Sequence, residues 1–69
     1  MRTPPLSSQL TRLHDLIRRR ATGDVTQCAR RLGVSEATLY RYLSLLRTLG
    51  GPIAYSPLDR TYYYTEPVD

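Results

Sequence analysis

Arg41 and Arg47 lie in the run EATLYRYLSLLRT, interleaved with Tyr40 and Ser44 and preceded by Glu36, Ala37 and Thr38. A guanidinium is a planar fork of donors that grips a phosphate or reads guanine O6 and N7 together. Glu36 and Thr38 can accept from cytosine N4 or bond either partner, and the methyl of Ala37 can lie against thymine. Presented along one face of a helix, this set suits the major groove of duplex DNA. The remaining chemistry is sparse: one histidine, His14, one cysteine, Cys28, no phosphate loop, no metal-ligand spacing and no paired carboxylates. An enzyme is therefore not expected, and neither is a cofactor, a metal or a small-molecule ligand.

For those side chains to face outward, something must hold the helix. Leu39, Leu43 and Leu46 recur at helical spacing over 36–48, which buries them and leaves Glu36, Ala37, Tyr40, Arg41, Ser44 and Arg47 outside. Thr38 falls between the two faces and either meets DNA or turns inward to cap locally. Ser35 is a good N-cap, and its hydroxyl with the first amides can hold a phosphate. Ahead of it, Val25, Cys28, Ala29 and Leu32 form the apolar face of a short helix over 25–32. Asp24 and Gln27 have the spacing of a capping box. Gly33 stands where a chain leaving a helix needs a left-handed residue, and Val34 would plug the angle between the two helices. Arg30, like Arg47, is a phosphate contact on geometry or an ordinary exposed arginine.

Leu6, Leu10, Leu13, Leu16 and Ile17 predict a first helix over 7–20, ending near Ala21, Thr22 and Gly23. Arg18, Arg19 and Arg20 fall in its last turns, where cations suit the negative end of the helix dipole, or where they meet a phosphate or a partner. His14 is expected on the polar side, as a surface residue without special chemistry, and Cys28 as a small buried hydrophobe. Pro4 and Pro5 suggest an extended leader or an abrupt helix start. Beyond Gly50, Gly51 and Pro52, two β-rich runs flank Pro57, Leu58, Asp59 and Arg60 and read as a hairpin over 53–65. Alternation puts Tyr62 and Tyr64 on one side and Tyr63 on the other, with Ile53 and Tyr55 sharing a side. One face covers the core, with Tyr55 and most of the 62–64 run needed to complete it, and the other carries at least one tyrosine outward. Residues 66–69 are expected to trail off. The fold class that follows is mostly α with a small β-hairpin: a three-helix helix-turn-helix bundle with a C-terminal two-stranded wing.

Ala29, Leu32, Gly33, Val34, Ser35, Thr38, Leu39, Tyr40, Arg41, Leu43, Leu46, Gly50, Ile53 and Tyr55 together carry a resemblance. The chain resembles the type 11 helix-turn-helix family of winged-helix DNA-binding domains over nearly its whole length. Similar modules stand at the front of many bacterial transcription regulators, the biotin-operon repressor among them. Tyr42 departs from the pattern, which often has an acidic residue there. The resemblance implies that Arg41 contacts DNA, that Thr26 and Gln27 bond backbone phosphates, and that Arg60 at the wing tip reaches an adjacent minor groove or phosphate. For Gln27 and Ser35, capping is the competing role; for Arg60, it is a tip that is merely solvated.

All ten basic residues are arginines, and they are unevenly placed. Residues 1–48 hold nine arginines against Asp15, Asp24 and Glu36, a balance of +6, whereas residues 49–69 hold Arg60 against Asp59, Glu66 and Asp69, a balance of −2. A polyanion is thus expected to meet the helices. Sixty-nine residues are expected to make one domain, a lone cysteine asks for no oxidising compartment, and neither a membrane span nor a signal peptide is evident. A cytoplasmic protein is the expectation. The function expected is sequence-specific binding of double-stranded DNA, as a small transcription regulator or a mobile-element accessory factor. The alternative is a winged-helix interaction module that docks a protein through the tyrosine-rich hairpin. A homodimer is also expected, through the first helix or the hairpin, because one small module offers limited contact area.

Overall fold

The chain's turns are set by three helix ends and two capped starts. A computed structural model describes residues 6–67; the expected leader around Pro4 and Pro5 and the last two residues lie outside the described range. Its elements are α1 (Leu6–Arg18), α2 (Val25–Leu32), α3 (Glu36–Thr48), β1 (Ile53–Ser56) and β2 (Thr61–Tyr64). This is a three-helix bundle followed by a two-stranded antiparallel wing.

The corner between α2 and α3 forms as its residue types require. The Gln27 N–H donates to Asp24 Oδ1 at 2.9 Å, and the Asp24 N–H donates back to Gln27 Oε1 at 3.1 Å, a closed capping box. At the other end Gly33 is left-handed, φ 72°, so that its N–H reaches Arg30 O and the Val34 N–H reaches Ala29 O. Ser35 Oγ then accepts from the Thr38 N–H at 3.1 Å and starts α3. Helix α3 ends through Gly50, φ 98°, with the same pair of reversed bonds to Arg47 O and Leu46 O.

Helix α1 ends in that way too, but without a glycine. Arg20 takes φ 54°, its N–H bonding Ile17 O and the Ala21 N–H bonding Leu16 O. The helix therefore stops at Arg18, two residues short of the expected end, because the backbone reverses at Arg20 and not at Gly23.

Leu13, Ile17, Cys28, Ala29, Leu32, Leu39, Leu43, Leu46 and Tyr62 form the core, and Val34 packs against it from the corner. Complete burial of a leucine such as Leu39 or Leu43 contributes on the order of 2 kcal/mol. The hairpin pairs Ile53 with Tyr64 and Tyr55 with Tyr62, so these four share a face, and Tyr62 and Tyr64 pack inward. Tyr55, expected to help complete the core, stays 38% exposed. Leu6, expected on the buried stripe, stands half exposed at the start of α1, whereas Gln9 is buried and donates Nε2–H to Leu32 O at 3.1 Å. A polar side chain takes that place because it satisfies a carbonyl left over at the end of α2.

Two threonines join the helices to the wing. Thr22 Oγ1 accepts from the Tyr62 N–H at 2.9 Å, lies 3.1 Å from Thr61 Oγ1, and donates to Gly23 O. Both residues are buried, and every buried side-chain polar atom among the described residues has a partner. No helix among the described residues is long and apolar enough to cross a membrane.

Candidate nucleic-acid interface

Helix α3 is held from beneath by Leu39, Leu43 and Leu46, and its exposed positions are Glu36, Ala37, Tyr40, Arg41, Ser44, Leu45, Arg47 and Thr48. Ala37, Arg41, Ser44 and Thr48 follow one another at helical spacing along the crest. Tyr40, Arg41, Ser44, Leu45 and Thr48 line a shallow depression on it. Leu45 and Thr48 were missing from the sequence-derived set. The steps of four and seven residues from Arg41 would have found them. Tyr40 is 52% exposed, a large aromatic surface beside a guanidinium.

The candidates divide by whether the protein already engages them. Among the described residues, Arg41 and Arg47 have no ion pair and no hydrogen-bonded side-chain partner, and the same holds for Arg30 and Arg60. Ser35 and Thr38 are occupied locally. Besides accepting from the Thr38 N–H, Ser35 donates its hydroxyl to Thr38 Oγ1 at 3.0 Å, so the two side chains meet at the cap of α3. Gln27 is taken up by its capping box. Thr26 Oγ1 donates to Glu36 Oε2 at 3.1 Å, which ties the start of α2 to the start of α3.

The other basic cluster is engaged by the protein itself. Arg18 and Arg19 pair with Asp15 at 2.7 and 3.2 Å. The Arg18 hydrogen bond leads the effects that hold the Asp15 carboxyl below its usual range. The Arg20 guanidinium lies 4.9 Å from the centre of the Tyr63 ring, and Arg31 donates to Ala21 O. The outward tyrosine of the hairpin is thus covered by an arginine.

His14 does not stand as a plain surface residue. It is half-buried, with Nδ1 2.7 Å from the Tyr64 hydroxyl and the two rings tilted at 5.3 Å. Folding brings together residues fifty positions apart, a contact no local spacing announces. Burial pushes the Tyr62 phenol up to about 12 and raises that of Tyr64. Cys28 is fully buried, and desolvation pushes its thiol up to about 11, which removes the thiolate needed for reactivity.

Arg60 closes the wing tip in a left-handed conformation, φ 51°. Its neighbour Asp59 is turned back to Ser56, whose Oγ accepts from the Asp59 N–H at 3.2 Å and lies 3.4 Å from Asp59 Oδ2. The tip also carries Leu58, 92% exposed. Comparison of the chain with family models, with curated proteins and with solved structures finds no match.

Proposed function

We propose that this chain binds double-stranded DNA by laying α3 in the major groove, as the recognition module of a small transcription regulator. The observation that carries the reading is the pair Arg41 and Arg47, exposed on α3 with no ion pair and no side-chain hydrogen bond among the described residues. Exposed arginines that are not already paired lose little on meeting a phosphate or a guanine edge. The charge balance of +6 over residues 1–48 and the resemblance to winged-helix DNA-binding domains support the same assignment. Arg30 on α2 and Arg60 at the wing tip, both exposed, supply phosphate contacts, while Ser35, Thr38 and Gln27 shape the helix starts.

Docking of a protein through the tyrosine hairpin finds less support. Tyr62 and Tyr64 face the core and Arg20 covers Tyr63, which leaves Tyr55 and Leu58 as the large apolar groups exposed there.

In vitro selection from a random duplex library, at near-physiological salt and with Arg41→Ala in parallel, tests the proposal. Enrichment of one site by the native sequence, with affinity falling steeply as salt rises, is the expected result. A palindromic site would add support for a homodimer. Weak, salt-sensitive binding that is the same for both proteins and enriches nothing would overturn the assignment of α3.

A further inference from the structure

Glu36 is the one acid among the exposed positions of α3, and it stands at the end from which a helix in the major groove reaches the base edges. The inference rests on the duplex-binding reading and adds what α3 reads there. An ionised carboxylate is repelled by phosphates and has only acceptor oxygens, so its partner on DNA must be a base-edge donor. Two such donors face the major groove, cytosine N4 and adenine N6. Adenine N6 lies between two acceptors, its own N7 and the O4 of the paired thymine, and both oppose a carboxylate. Cytosine N4 has an acceptor on one side only, the O6 of the paired guanine.

The carboxylate is also held. Thr26, from the first turn of α2, donates its hydroxyl to Glu36 Oε2 at 3.1 Å. That bond occupies one oxygen and leaves Oε1 for an incoming donor. Thr26 is β-branched and therefore stiff about its first side-chain torsion, so the restraint on Glu36 comes from a second, separately anchored helix. The cap of α3 does not compete for the same group, because Ser35 and Thr38 satisfy each other.

We propose that Glu36 selects a cytosine in the major groove, with Thr26 as the residue that positions its carboxylate. The test is duplex selection with the full chain and with Glu36→Gln, Thr26→Val and Thr26→Ser. The native protein is expected to recover sites with cytosine at one position. Glu36→Gln should replace that cytosine by adenine, whose N6 and N7 match an amide, and leave the other positions unchanged. Thr26→Val should lower the preference for cytosine at that position about tenfold, and Thr26→Ser, which keeps the donor, should restore it. A general structural role of Thr26 would weaken all positions together. Recovery of the same site by Glu36→Gln would overturn the inference and leave duplex recognition standing. A base preference unchanged by Thr26→Val would overturn the positioning role. Enrichment by none of the four proteins would overturn both this inference and the reading beneath it.

Discussion

The end of α1 and the outer face of α3 are both rich in arginine, and they differ in what surrounds the charge. At the end of α1, Asp15 takes Arg18 and Arg19, Tyr63 takes Arg20, and a backbone carbonyl takes Arg31. On α3, Arg41 and Arg47 have no such partner among the described residues. Cationic charge alone therefore does not distinguish the two regions. The distinguishing property is whether folding has already used the donors, because an arginine must give up its internal contacts before it can meet a polyanion.

Substitutions in the two regions should separate accordingly. The largest effect on stability is expected beside the α1 end, at Thr22→Val. This leaves the buried Tyr62 N–H without its acceptor and should cost about 2 kcal/mol, or about 10 °C in Tm, read by thermal denaturation. Next comes Arg41→Ala. It should lower duplex affinity by about 1–3 kcal/mol in a binding titration and change folding stability by less than about 0.5 kcal/mol. A loss of stability with affinity intact would reverse the comparison.

Arg20 sharpens the contrast within the engaged cluster. Arg20→Ala loses the stacking on Tyr63 and keeps the left-handed backbone, whereas Arg20→Gly loses the same contact and relieves the strain. The glycine variant should be the more stable of the two by about 1 kcal/mol in denaturant titration. Equal stabilities would show that the left-handed turn at Arg20 is not strained.

The smallest effect is expected at Asp15→Asn. The native-state pKa of Asp15 lies below its unfolded value, so its contribution to stability is present above the unfolded pKa and fades as pH falls through the folded one. The variant should be slightly less stable than the native protein near neutrality, and the difference should fade as pH falls through the folded-state pKa of Asp15. A difference that is absent near neutrality, or that grows as pH falls, would contradict that linkage.

Some of this architecture was legible residue by residue. Asp24 with Gln27, Gly33, Ser35 and the leucines of α3 act through contacts within one turn or one helix face, so their spacing carries the information. The helix-turn-helix corner and most of the outward set on α3 are thus encoded locally. The local hydrogen bonds of Thr38 and Gln27 likewise form within the turn that their spacing marks.

What local order could not supply are the contacts between residues far apart in the chain. The burial of Gln9 against the end of α2, the Thr22 and Thr61 link to the wing, and the His14 to Tyr64 bond all join different elements. The left-handed turn at Arg20 belongs with them, since an arginine there carries no signal that a glycine would, and the Tyr63 ring that covers it comes from β2. Sequence by itself determined the three helices, the caps of α2 and α3 and most of the face of α3 that turns outward, because those follow from periodicity and local hydrogen bonding. Only the tertiary structure decided which arginines remain unengaged and that Thr26 meets Glu36, because such pairings depend on how the packed core sets one helix against another.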